Sequence, residues 1–275
     1  MTTSVPQASA WSRVGAIFRR DALVALSYPG NFTLSWLAIV IEVVIAWYIS
    51  KLIPASPKFS PNGVSVPYFQ FIAINAAFVL FQTAALNSFA ESIRDAQLTG
   101  TLEIVLSTPT RLNTLVLSSA VWSMTYTFLQ TTVYLLIAMA FGLDLHHVDV
   151  LTALIFLVLT VASVSPLGVL AAAMAMVIKK TGPVEFLSNA SASVFGGVYL
   201  PLASMPLALQ WIGWLLPITH ALNGFRAAAA GVPIRQVAGD AIWLLVASAI
   251  LLPLALWIFS RAVAKARVDG TLSMY

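Results

Sequence analysis

An all-α polytopic membrane protein with six transmembrane helices is the fold class that this sequence predicts, and three observations carry it. Of 275 residues, 60% are hydrophobic and 9% charged, with a mean hydropathy of +0.91; a water-soluble domain carries about a quarter charged residues. The apolar residues fall into six long blocks, separated by short loops that hold most of the charge. These blocks suit the roughly 20 residues that a helix needs to cross about 30 Å of hydrocarbon. Lipid cannot satisfy backbone polar groups, which favours helices over open strands. The blocks also lack the short alternating pattern of barrel strands, about ten residues each.

The predicted spans are Phe32–Ile53, Pro67–Ala90, Leu112–Phe141, Leu151–Ile178, Pro183–Leu200 and Val237–Phe259. The third and fourth exceed the minimum, which predicts tilt or extension beyond the bilayer. Met1–Ala10 is polar, with no short apolar core or cleavage site, so no signal peptide is expected. Cysteine is absent, which excludes disulfides, thiol chemistry and cysteine metal sites. The pI near 9.5 is not read as a sign of nucleic-acid binding. In a membrane protein the placement of Lys and Arg is more informative than their total.

With six spans both ends share one side. That side gathers Arg13, Arg19, Arg20, Arg94, Arg111, Lys179, Lys180, Arg261, Lys265 and Arg267, ten basic residues in all. Lys51, Lys58, Arg226 and Arg235 count for the other. The positive-inside rule therefore predicts cytoplasmic termini in a multi-pass cell-membrane protein. Before the first span, residues 8–28 predict an interfacial helix. Trp11, Val14, Phe18, Ala22 and Ala25 recur at three- and four-residue spacing, with Arg13 and Arg20 opposite. A generic membrane anchor is the alternative. Tyr28-Pro29-Gly30 then turns the chain into the bilayer.

Residues 91–110 predict a short amphipathic helix broken at Thr108-Pro109, with both signs of charge. A solvated connector and a docking element for a soluble partner both fit that pattern. Within an outer hairpin expected at residues 201–222, the apolar run Ser204–Ile218 is too short to span comfortably and is bracketed by Pro201, Pro206 and Pro217, as re-entrant or interfacial segments are. Trp211 and Trp214 suit the headgroup level.

Three stretches together resemble the ABC type-2 exporter permeases, the membrane subunits of ATP-binding cassette exporters of multidrug or lipid type. The first is Phe18-Arg19-Arg20-Asp21 before the Ser27-Tyr28 turn. The second is the loop Arg94-Asp95 through Gly100-Thr101-Leu102-Glu103. The third is Gly196-Gly197-Val198-Tyr199-Leu200-Pro201 followed by Met205-Pro206, Leu216-Pro217 and Arg226. His220 departs from that pattern, standing where aromatic residues are common in relatives, and receives no special role. The resemblance implies that Arg94, Asp95, Gly100, Thr101, Leu102 and Glu103 dock into a separate ATPase. It implies two ATP-binding subunits, which bind ATP and Mg, and a second permease chain, most simply an identical one. It also implies a bacterial inner membrane as the location. The hairpin would cap the pathway on the outer side.

No Gly-Lys-Ser/Thr phosphate loop occurs in the sequence, so this chain needs no cofactor of its own and any ATP chemistry belongs to a partner. On the second span, Phe71, Asn75, Phe78, Gln82 and Phe89 fall within about 60° of helical arc. They line a path for an amphipathic substrate or fill the bundle core; amides avoid lipid in either case. The family's path lies near its second and fifth spans. On the fifth span, Ser188, Ala192 and Gly196 at four-residue spacing suit close helix packing at a dimer axis. Ser191, Phe195 and Tyr199 adjoin them as further path candidates.

Glu42, an acid near the middle of the first span, leaves proton coupling, cation recognition and a neutral hydrogen-bonded acid all open. Glu185 in the first turn of the fifth helix is explained by the helix dipole. Asp144, His146, His147 and Asp149 have metal-ligand side chains, but adjacent histidines point apart, so a solvated loop is expected and no metal. The expected function is export of a hydrophobic or amphipathic molecule, drug-like or lipid, with membrane lipid around the chain and no nucleic acid. Export of a glycan or lipid-linked glycan is the nearest alternative. An ion-coupled secondary transporter centred on Glu42 follows, and an intramembrane enzyme comes last, since no nucleophile–base pair stands at helical spacing.

Overall fold

The computed structural model describes residues 10–52, 67–98, 112–178, 202 and 205–268, and these are helices and the turns between them. The helices are α1 (Ala10–Ser27), α2 (Pro29–Leu52), α3 (Tyr68–Leu98), α4 (Leu112–Ala140), α5 (Val150–Ile178), α6 (Leu207–Leu215), α7 (Pro217–Ala229) and α8 (Ala238–Val268), with a 3-10 turn at Ile234–Gln236. No strand occurs among the described residues. The predicted fifth span, residues 183–200, lies outside them.

Four stretches are long and apolar enough to cross a membrane: Phe32–Leu52, Tyr68–Ser88, Val150–Met174 and Ala238–Lys265. The chain is therefore a multi-pass membrane protein. Helix α4 has 29 residues, about 44 Å of helix and ample length. It is not among those four, because Thr125, Thr127, Gln130, Thr131 and Thr132 dilute its apolar character. Two of its hydroxyls are tied to the backbone: Thr125 Oγ1 donates to the Val121 carbonyl and Thr132 Oγ1 to the Phe128 carbonyl, each at 2.8 Å.

Proline and glycine set the joints. Pro29 opens α2 where a missing N–H costs nothing, so α1 and α2 are separated by Tyr28 alone. Pro217 does the same for α7, and the residue before it, Leu216, is forced into the extended region at φ −81°, ψ 129°. That single residue separates α6 from α7. Gly142 and Gly231, at φ +103° and +78°, close α4 and α7. In each, the next residue donates to a carbonyl five back: Leu143 to Ala138 at 3.0 Å and Val232 to Ala227 at 2.9 Å.

Helix α3 is the centre of the bundle: 56% of its apolar window is buried, against 17% for α2 and for α8. It packs on α4, α5 and α7, while α5 lies between α3 and α8. The outer faces of α2 and α8 present Leu37, Ile41, Ile45, Ile242, Leu245 and Trp257, side chains that suit lipid. Helix α1 packs on α4 through an edge-on contact of Phe18 with Trp122 at 5.2 Å. Trp122, Tyr126, Trp36 and Phe32 continue that aromatic run, and Ser35 shares a 2.8 Å hydrogen bond with Tyr126.

Two helix ends differ from the sequence reading: that of α8, which runs on to Val268 past the expected Phe259, and that of α3. Helix α3 continues eight residues past Ala90, through Glu91–Leu98, so the start of the expected coupling loop is helix. Glu91 to Leu98 contains neither glycine nor proline, and nothing there stops propagation before Gly100. The predicted break at Thr108-Pro109 lies outside the described residues, as does 99–111 as a whole.

In lipid, helices associate by close packing more than by a hydrophobic drive. Gly224 makes such an approach: a Cβ there would stand 1.9 Å from the Phe156 ring. Gly224→Ala is expected to destabilise the bundle by about 1–3 kcal/mol through overpacking. Thermal unfolding in detergent should register it, with partial recovery when Phe156→Leu is added.

Candidate functional site

The α3 stripe faces inward. Phe71, Asn75, Phe78 and Gln82 are all buried within this one chain, at the contact of α3 with its neighbours. Phe89 lies on the same helix. The element that covers the Phe71 end of the stripe is α7, ten of whose thirteen residues are buried. Phe225 of α7 meets Phe78 at 5.9 Å.

The next residue of α7, Arg226, donates from Nε to the Asn75 side-chain oxygen at 2.7 Å. Its guanidinium lies over the Phe71 ring at 4.7 Å from the centroid. Arg226 was counted with the outer-loop charges in the sequence reading. It is buried instead, which leaves three basic residues on that side. A guanidinium stays protonated, so α3 and α7 share a desolvated positive charge held by an amide and a ring face. Further along, Gln82 is buried with no hydrogen-bond partner for Oε1. The stripe thus runs from an end where Asn75 holds the Arg226 charge to an unsatisfied amide oxygen at Gln82.

The α2–α4 contact holds a second polar group. Glu42 stands at the midpoint of Phe32–Leu52, half-buried, on the edge of the face formed by Ile39, Val43 and Ala46. Ile39 and Val43 share a core cluster with Tyr134 of α4, which is fully buried and whose hydroxyl has no partner. Thr131, one turn earlier, is likewise buried with its hydroxyl unpartnered.

Other sequence candidates are not brought to this site. Arg94 and Asp95 lie on the far extension of α3. Gly100, Thr101, Leu102, Glu103, Ser188, Ser191, Ala192, Phe195, Gly196 and Tyr199 lie outside the described residues. The loop acids have local work: Asp144 Oδ1 accepts from the His146 N–H at 3.0 Å, and Asp149 caps α5 through the Thr152 N–H at 3.1 Å. Among the described residues no three His, Cys, Asp or Glu side chains are grouped to hold a metal.

Sequence reasoning missed His220. Its Nδ1 lies 2.6 Å from Asp240 Oδ1 and its Nε2 lies 2.8 Å from the Trp214 carbonyl. Its ring stands between the indoles of Trp214 and Trp243, at 5.6 and 5.5 Å. No local pattern announces this, because the acid is twenty residues away in another helix.

No curated protein matches the chain. Residues 35–257 match the family described as ABC-2 family transporter protein, a range that runs from α2 into α8 and takes in Glu42, the α3 stripe and the α6–α7 hairpin. A buried polar seam inside an apolar multi-helix bundle, with no phosphate-binding loop in the sequence, is what a transport subunit without its own nucleotide chemistry requires. The chain belongs to the ABC-2 family of membrane transporter proteins.

Proposed function

We propose that this chain is the permease subunit of an ATP-driven exporter that moves a hydrophobic or amphipathic molecule, drug-like or lipid, across a bacterial inner membrane. In this reading it crosses the membrane six times with both termini in the cytoplasm. Two copies work with two ATP-binding subunits. Helix α1 lies in the headgroup plane, and α6–α7 enters from the outer side and returns. Ser188, Ala192 and Gly196 pack at the axis between copies, with Ser191, Phe195 and Tyr199 beside the path.

The observation that carries the reading is the continuity of α3. One unbroken helix of 31 residues, about 46 Å long, holds Arg94 and Asp95 at one end and Asn75, tied to Arg226, at the other. ATP binding in the partner closes its two halves and pushes on residues 94–103. A stiff helix transmits that displacement as a tilt, which separates α3 from α7 and opens the stripe of Phe71, Asn75, Phe78, Gln82 and Phe89 to the cargo. The push acts on an equilibrium between closed and open packing, and it works because nucleotide favours one of the two. An amphipathic cargo suits the stripe: rings take its apolar part, and the unpartnered Gln82 oxygen takes a donor. A glycan would need more hydrogen-bonding groups than this seam offers.

Two glycines inserted after Ala90 test the lever. The variant should still bind the ATPase while ATP-dependent export into inside-out vesicles falls at least tenfold. Export at the parental rate would show that α3 does not carry the motion.

A further inference from the structure

A carboxyl group in the middle of a membrane span needs a partner, because such groups pair with one another or face a cavity. Glu42 has neither a hydrogen bond nor an ion pair among the described residues. Its surroundings are fixed by contacts at both ends of the seam between α2 and α4. Ser35 shares a 2.8 Å hydrogen bond with Tyr126, and Trp47 meets the Phe141 ring, just past α4, at 5.9 Å. The two helices therefore run side by side in the same direction. Glu42, seven residues beyond Ser35, stands level with Tyr134, eight beyond Tyr126.

The Glu42 carboxyl and the Tyr134 phenol are close enough to interact electrostatically. Yet the Tyr134 hydroxyl bonds nothing, and neither does that of Thr131, three residues before it. Both side chains are more than nine-tenths buried. A neutral acid satisfied within the protein would give its proton to one of these oxygens, and neither receives it. A buried polar group left unpaired is costly, so what the seam lacks is a donor.

We propose that Glu42, Tyr134 and Thr131 form a binding site for the protonated amine of a lipophilic cargo, which enters from the lipid between α2 and α4. An ammonium is a donor only and carries the one positive charge that one carboxylate balances; the two hydroxyl oxygens accept its remaining N–H groups. No resident cation competes. Helix α4 has no charged residue, and the apolar window of α3 has none. Lys51 of α2 lies nine residues on, over the Trp47 ring, and Arg226 is bonded to Asn75.

The seam is also open on the correct side for an amphiphile. Ile39, Val43 and Ala46 bury one flank of Glu42, whereas Ala38 and Ile45 on the other are exposed. A hydrocarbon tail can lie along that apolar flank while the head reaches the acid, a route that a bare inorganic ion in lipid does not have. Tyr134 shares its core cluster with Phe78 of the α3 stripe, so the site adjoins the path assigned to the cargo. The inference rests on the exporter reading for the word cargo, and on the α2–α4 contacts for the site.

The test uses the full chain in phosphatidylcholine nanodiscs, titrated with dodecylammonium that carries a fluorophore at its far end. Its acetylated twin, an uncharged amide of the same length, is the control, and empty nanodiscs give the lipid background. Saturable binding of the ammonium above that background is expected, with the amide bound at least tenfold more weakly. Glu42→Gln, nearly isosteric, should weaken ammonium binding by about tenfold or more, the effect of losing one charge-assisted contact. Tyr134→Phe removes only the hydroxyl and should weaken it several-fold, while Glu42→Asp should retain more of it than Glu42→Gln. Equal affinity for ammonium and amide, parental affinity in Glu42→Gln, or no saturable binding overturns the site. The assay needs neither ATPase nor nucleotide. Binding without ATP-dependent export leaves the site standing and removes the exporter reading; export of the ammonium at the parental rate in Glu42→Gln removes the site alone.

Discussion

Replacing Arg226 by alanine should reduce export at least tenfold and loosen the outer half of the bundle. The side chain makes a charge-assisted hydrogen bond to Asn75, an interaction that contributes about 1.5–3 kcal/mol. Its desolvated stack on Phe71 adds up to about 2 kcal/mol. Arg226→Lys should recover little, because an ammonium offers neither the Nε donor nor a flat face. Asn75→Ala leaves a buried cation without its amide acceptor and should be similarly damaging. The two changes are expected to be non-additive by about 1–3 kcal/mol, as for neighbours that share one interaction. Thermal unfolding of the single and double variants in detergent, beside vesicle export, measures that coupling. Strictly additive losses would mean that the contact does not join α7 to α3 in the working protein.

Removing residues 99–109 should abolish capture of the ATP-binding subunit while leaving the helices folded. The segment contains Gly100, Thr101, Leu102 and Glu103 and follows directly on the charged end of α3. Glu103→Ala alone is expected to weaken capture by roughly tenfold, the effect of losing about one charge-assisted contact. Co-purification of the two subunits from detergent, with helicity followed by circular dichroism, distinguishes lost docking from lost folding. Undiminished capture after the deletion would place the contact elsewhere on the chain.

The fold was legible where local chemistry decides it. Pro29 and Pro217 mark helix starts, Gly142 marks an end, and the apolar blocks anticipated α2, α4, α5 and α8 to within a few residues, except that α8 runs on to Val268. The end of α3 was placed early because the short amphipathic helix expected from residue 91 was read as separate from the span; Glu91–Leu98 leaves the apolar window without leaving the helix. The inward stripe was visible as a periodicity, since amides avoid lipid on any helix. Its partner on α7 was not. Arg226 looks like an ordinary loop charge until α7 is laid against α3, and the amide that holds it is 151 residues distant. His220 was passed over for the same reason: what gives it meaning is a carboxylate in α8 and a carbonyl in α6.

The most direct measurement is transport by the purified chain in sealed proteoliposomes. Half should contain this chain alone under an imposed proton or sodium gradient, and half should contain it with its ATP-binding subunit and ATP. The account predicts accumulation of a lipophilic amphiphile against its gradient with the ATPase and ATP only. Uphill movement by the chain alone, driven through Glu42 or any other group, would contradict it.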